Sequence, residues 1–288
     1  MVSELPRSRS TRALAERTLA TFLSHLGSHK HDVVVIGGLN PDLLTERPPA
    51  PHLGTTDVDL LLEVGFVYDR DDLDFAWLEI ALTASGFAPA IAGSGWRWSR
   101  KVDGVPVLLE LLCDTPDNRG QELALPGCDR ATAMNLSGPA PALTDTRLVE
   151  LPVPPGDRSA TVHDFVQGRF AGLGGYLLAK SAAVVGRRLA KDYYDLAYVM
   201  LYNPGGPRAA AHAVASALPE ISFSDHEGEL RAALRSFEGA ESTGTLIFVE
   251  QMREAGAVDE GEFFAQDIVI GATEFLEELE RVRNGDPH

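Results

Sequence analysis

Cysteine is almost absent from this chain of 288 residues: Cys113 and Cys128 are the only two. They make neither a zinc pattern nor a secreted disulfide framework, and so point to a reducing cytoplasm. Lysine is nearly as scarce, with Lys30, Lys101, Lys180 and Lys191 the full set. Long apolar runs are missing too. None reaches the ~20 residues of a membrane span, and the opening MVSELPRSRSTRALAERTL has no apolar core for a signal peptide. Positive charge is short overall: 25 basic against 42 acidic side chains leave a net charge of -17, which argues against wholesale coating of nucleic acid. No internal repeat is visible. Membrane, secreted and fibrous classes are excluded as expectations.

What is present is ordinary globular composition, 44% hydrophobic and 23% charged. A compact chain of this length buries roughly three quarters of its unfolded surface, enough for a core without disulfides or a structural metal. Charge is segregated along it. Residues 220–288 hold 17 acidic and 5 basic side chains, whereas residues 169–208 hold six basic and two acidic ones.

The apolar spacing of Leu14, Leu19, Phe22, Leu23 and Leu26 predicts a helix over 9–26. Val33 to Ile36 reads as a short buried strand running into Gly37-Gly38. Four prolines between Pro41 and His52 predict an irregular loop over at least the second half of that stretch. Val58 to Val64 reads as a strand and Leu73 to Ser85 as a helix. Trp96 to Val102 and Val105 to Leu112 read as a hairpin turning at Asp103-Gly104. Residues 114–155 are rich in Pro, Gly and Asp and hold one further strand, Arg147 to Leu151. From Tyr176 onward the pattern is helical. The expected architecture is α+β: a mixed-sheet domain with flanking helices over 1–168, then an all-helical domain over 169–288.

The stretch Gly54-Thr55-Thr56-Asp57-Val58-Asp59-Leu60 carries chemistry. Two carboxylates two residues apart on a strand project from one face, about 7 Å apart. That suits hard oxygen ligation of Mg²⁺ ions that also bind substrate phosphates. Gly37 and Gly38, after the preceding strand, let backbone N–H groups approach a polyphosphate. Glu110 interrupts the apolar strand Val107 to Leu112, where a charge is costly unless it faces a partner or a metal. Asp114 shares its strand parity and is the alternative third carboxylate.

A second stretch runs from Tyr176 to Leu196. With Lys180 set at 0°, Arg187 falls at about -20°, Lys191 at about +20° and Asp195 at about +60° around a helix, opposite an apolar face. A straight helix would hold Lys180 and Asp195 about 22 Å apart, too far for one phosphate pocket, so a break near Gly186 is expected. Asp195 is favoured over Asp192, which falls nearer the apolar face.

Together the two stretches resemble the nucleotidyltransferase superfamily of polymerase-β-like fold, and most closely its AbiEii/AbiGii toxin branch, which includes the MenT-like enzymes. The residues that carry the likeness are Gly37-Gly38, Thr55 or Thr56 with Asp57-Val58-Asp59, Lys180, Arg187, and Lys191-Asp192-Tyr193-Tyr194-Asp195-Leu196. The resemblance covers about residues 30–200, with the Pro-rich segment lengthening the gap between Gly38 and Thr55 and with Gly54 where a basic residue would precede the motif. It implies Mg²⁺-dependent transfer of NMP from an NTP, with two metals on Asp57, Asp59 and Glu110. Thr56, Lys180, Arg187 and Lys191 would contact nucleotide, Glu110 would complete the metal site or deprotonate the acceptor, and Asp195 would serve as the motif acid. The implied acceptor is RNA, such as a tRNA 3′ end. The implied setting is a toxin of a type IV-like toxin–antitoxin or phage-defence system, with a cognate antitoxin as partner and no membrane. A narrow basic strip for RNA would draw on Arg187, Arg188 and Lys191 with Arg97, Arg100 and Lys101. The alternatives are a transferase acting on a protein or small molecule, and a catalytically silent scaffold that binds a ligand.

Overall fold

The structure, a computed structural model, describes residues 7–65, 72–157, 164–218, 220–258 and 263–285, without the side chains of 220–225. It is mixed α/β and divides into two compact units. The first comprises residues 1–39 and 54–171, the second 40–53 and 172–288. The division after Ala171 falls beyond the sequence boundary at 168, which would cut through a strand. The Pro-rich segment 40–53 folds with the helical unit. Among the described residues no helix is long and apolar enough to cross a membrane.

Among the described residues the first unit is built on a mixed sheet of nine strands. In chain order they are β1 (Val33–Ile36), β2 (Asp57–Leu62), β3 (Ala88–Ile91), β4 (Ser94–Val102), β5 (Val105–Cys113), β6 (Glu122–Ala124), β7 (Thr132–Asn135), β8 (Thr146–Pro152) and β9 (Phe165–Ala171). The sheet runs β3-β4-β5-β2-β1-β9-β8, with β7 beside β5 and β6 beside β7. β1 and β2 are antiparallel, β2 and β5 parallel, and β1 and β9 parallel. Helices α1 (Arg9–His25) and α3 (Ala76–Ala84) complete the unit. α1 opens on a Ser8–Thr11 capping box, which satisfies otherwise orphaned helix N–H groups. It buries Leu19, Phe22 and Leu23, and Gly168 on β9 lets Leu23 in, since a Cβ there would meet Leu23 Cδ1 at 2.7 Å. β1 is buried along its whole length, as expected of a four-residue apolar run in the middle of a sheet. Strand β9 was not anticipated, although its alternation of exposed and buried residues from Phe165 is a period-two signal.

The second unit is helical: α2 (Pro41–Leu44), α4 (Leu173–Arg187), α5 (Ala190–Tyr202), α6 (Gly206–Ala217), α7 (Glu220–Leu234), α8 (Thr243–Glu254) and α9 (Phe263–Arg283). Its core gathers Tyr194, Tyr198, Phe237, Phe248 and Phe275, all fully buried. The expected break between Lys180 and Asp195 is present, but beyond Gly186. α4 runs through Arg187 and ends on Arg188 in the left-handed conformation (φ +53°), and Leu189 is extended before α5 begins. Gly186 stays helical because one glycine costs a helix interior only about 1 kcal/mol.

Candidate functional site

In the first unit, strand register assembles one row of side chains. Asp59 lies opposite Glu110 across the parallel β2–β5 pair, and Arg97 lies opposite Glu110 across the antiparallel β4–β5 pair. Directly opposed residues share a face, and Asp57, two residues before Asp59, shares it too. Arg97 Nε donates to Glu110 Oε1 at 2.8 Å, so the charge interrupting an apolar strand has its partner in the next strand. The Arg97 guanidinium also lies over the Trp96 ring, 4.1 Å from its centroid. Glu110 is buried, while Asp57, Asp59 and Thr56 are half-buried.

The two glycines shape this row. Gly37 has φ +78°, and a Cβ on it would come within 1.8 Å of Asp59 Oδ2. A Cβ on Gly38 would stand 2.6 Å from Thr55 Oγ1, and that hydroxyl donates to Asp57 Oδ1. Both glycines thus seat the carboxylate row. Asp114 has a different use: its Oδ2 accepts from the backbone N–H of Gly138 and of Ala140, each at 2.9 Å, which closes a loop.

Among the described residues no group of three or more His, Cys, Asp or Glu side chains is arranged to hold a metal ion. The donor chemistry still suits Mg²⁺. Asp57 and Asp59 are hard oxygen ligands on one face beside a glycine cradle that a Cβ would fill, and Mg²⁺ is commonly held by one or two carboxylates with substrate phosphates and water completing its shell. Glu110 is engaged by Arg97 and Asp57 by Thr55.

The second unit holds a buried charge cluster. Lys180 Nζ donates to Asp195 Oδ2 at 2.7 Å and to Asp192 Oδ1 at 3.2 Å. Arg187 grips Asp192 with a fork, Nε to Oδ2 at 2.7 Å and Nη2 to Oδ1 at 2.9 Å. The break after Arg187 folds α5 back on α4, so that a separation of 15 residues becomes a contact. It also makes both aspartates members of the cluster. The helical wheel set Asp192 nearer the apolar face, and it is fully buried; the wheel missed its contact with Lys180 because α4 and α5 are separate helices. Lys191 sits half-buried in the first turn of α5.

His52 was not foreseen. It comes from the Pro-rich segment, is buried, and meets Asp195 Oδ1 through Nε2 at 2.9 Å. Its ring packs on Tyr194 and Tyr198, each 5.1 Å away between centroids. The same segment is tied to α5 by Tyr198 Oη donating to Ala50 O at 2.9 Å and by Glu46 N–H donating to Tyr202 O at 2.8 Å. The available signal was one histidine beside prolines, which gives no hint of a partner so far along the chain.

Burial disfavours the Lys180 ammonium, but the charges of Asp195 and Asp192 outweigh it and hold its pKa above the ordinary value. Burial likewise works against the Asp192 carboxylate, and Lys180 with Arg187 overrides it and holds that pKa low. Two cations balance two carboxylates, an arrangement that is stable when every partner is present and costly when one is removed.

Comparison with protein-family models, curated sequences and solved structures returns no match for this chain.

Proposed function

We propose that the chain is a metal-dependent nucleotidyltransferase that moves NMP from an NTP to a hydroxyl acceptor, with an RNA 3′ end, such as that of tRNA, as the acceptor class. The observation that carries this reading is the register of the parallel β2–β5 pair. It sets Glu110 beside Asp59, with Asp57 on the same face, at the end of the strand that follows Gly37-Gly38. Mg²⁺ held by Asp57 and Asp59 would supply positive charge to the triphosphate and to the leaving pyrophosphate. The acceptor oxygen forms a bond to the α-phosphorus, the bond to the bridging oxygen breaks, and pyrophosphate departs with that electron pair. Glu110 takes the acceptor proton, and Arg97 orients its carboxylate for that role. Neutralisation of phosphate charge by Lys180 and Arg187 belongs to the same reading and rests on the sequence resemblance. So does the setting, a toxin of a toxin–antitoxin or phage-defence pair whose basic antitoxin would find complementary charge on residues 220–288.

A second reading, a binding scaffold without catalysis, draws support from the second unit, where the Lys180 and Arg187 charges are already balanced by Asp192 and Asp195. Labelled NTPs offered with Mg²⁺ to total RNA and to whole-cell protein in parallel separate the possibilities. Label in RNA that disappears in Asp57→Asn and Asp59→Asn supports the proposal. Label only in protein or a small molecule moves the acceptor class, and no incorporation by a folded wild-type protein favours the scaffold.

A further inference from the structure

The second unit contains a cavity of about 690 Å³, within the size range of small-molecule sites. It shares no residue with the carboxylate row or with the Lys180 cluster. Its wall brings together Arg188, at the left-handed end of α4, and Arg235, just after α7. Neither guanidinium makes an ion pair or hydrogen bond with any described residue. Of two consecutive arginines, Arg187 is paired with Asp192, whereas Arg188 lines the cavity.

Three hydroxyls stand on the same wall, those of Ser236, Ser242 and Thr243. Ser242 Oγ accepts from the Gly239 N–H at 3.1 Å, which leaves its own proton to donate into the cavity. Val184, Val185 and Ile247 supply an apolar side, and Glu241 is the acidic residue of the lining, paired with neither arginine.

We infer that this cavity binds a nucleoside phosphate, either free or as a terminal unit of an RNA strand. Two guanidinium forks that are paired with no carboxylate among the described residues, together with three hydroxyls, match a phosphate, which arginine can grip with two parallel hydrogen bonds. The valine and isoleucine side accepts the flat face of a base. Glu241 accepts a hydrogen bond from a ribose hydroxyl or an exocyclic amine, a contact that inorganic phosphate cannot offer. The inference is independent of the transfer chemistry proposed above, because it uses neither Asp57 nor Asp59 and needs no metal.

The test is binding to the full-length protein in EDTA at low salt, with two probes: a fluorescent N-methylanthraniloyl ATP and a 5′-fluorescein single-stranded oligoribonucleotide of about ten nucleotides. Saturable binding of at least one probe is expected. The double substitution Arg188→Glu with Arg235→Glu weakens it at least about tenfold, as expected for losing charge-assisted contacts, with an unchanged melting temperature. Arg119→Glu with Arg208→Glu makes the same change in net charge outside the cavity and leaves binding within twofold of wild type. Mutual competition of the probes identifies the nucleoside phosphate as the recognised unit, and preference for the oligonucleotide places it on a strand. The inference is overturned if neither probe binds saturably, if the cavity variant binds within twofold of wild type, or if Asp59→Asn abolishes binding.

Discussion

Replacing Lys180 with methionine keeps the side-chain stem and removes only the charge, which makes it a sharp probe of the buried cluster. Lys180 is 6% exposed, so solvent cannot compensate the two carboxylates left behind. Deleting one partner of a buried ion pair costs about 3–5 kcal/mol. Here the lower end applies, because Asp192 keeps the Arg187 fork and Asp195 keeps His52. About 3 kcal/mol corresponds to a fall in melting temperature of roughly 6–12 °C for a chain of this size. The pH profile separates charge from packing. Lys180 has a raised pKa, so its contribution is complete below its ordinary value of 10.5 and is lost only as pH rises through the folded value above it. Asp192 has a depressed pKa, so its contribution is complete above its ordinary value of 3.8 and is lost as pH falls through the folded value. From these two groups the wild type draws constant stability between about pH 4 and pH 10. In Lys180→Met the buried Asp195 carboxylate, deprived of its ammonium partner, takes up a proton more readily than in the unfolded chain, so acidification from pH 7 to pH 5 restores stability. Thermal melts across that range decide the matter. A variant that melts within one or two degrees of wild type at pH 7, or loses stability on mild acidification, refutes the reasoning.

Gly37→Ala drives a methyl group into Asp59 and demands a left-handed backbone from alanine, at a cost of about 1–2 kcal/mol plus displacement of the carboxylate. It should abolish Mn²⁺ binding measured by calorimetry in the presence of NTP, and wild-type metal affinity would remove Gly37 from the site. Binding of single-stranded RNA should depend only weakly on salt. Arg97, Arg100 and Arg187 are already paired with Glu110, Asp157 and Asp192, so few contacts at roughly 0.7 each keep the logarithmic slope shallow, and a slope steeper than about -5 contradicts this. Burial, reinforced by Glu79, pushes the Cys128 thiol up to about 11, and Cys113 is buried. Iodoacetamide at pH 8 should therefore label the native protein on the order of a hundredfold more slowly than the unfolded one, and comparable rates would show that the thiol is not held as described.

Local pattern revealed what local physics determines. The apolar run at Val33, the Asp103-Gly104 turn and the two-residue spacing of Asp57 and Asp59 are decided by neighbours in sequence, and each was legible there. The parity of Glu110 was legible as well, but its partner was not. Arg97 becomes its neighbour only through the register of the β4–β5 hairpin. Helical angles missed the contact of Asp192 with Lys180 because they presuppose an unbroken axis, and the left-handed turn at Arg188 resets the phase of everything after it. His52 lay beyond reach for a different reason. Its bond to Asp195 spans 143 residues, and no periodicity records a contact of that kind.

The interleaving of the two units has a consequence for how the chain is made. The polypeptide passes from one unit to the other after Leu39, returns at Gly54 and leaves again after Ala171. During synthesis the segment carrying His52 therefore emerges long before the helix Ala190–Tyr202 that receives it. At roughly 5–20 residues per second, the delay is on the order of ten seconds. Throughout that interval Leu44 and His52 have no surface to bury against, and a holding chaperone would find them accessible. For the same reason no single cut yields either unit whole. A fragment ending at residue 171 carries 40–53 as an orphaned loop, and a fragment beginning at 172 lacks the strand of chain that closes over Tyr194 and Tyr198. A circular permutant or a bypass joining Leu39 to Gly54 is the route to an isolated first unit.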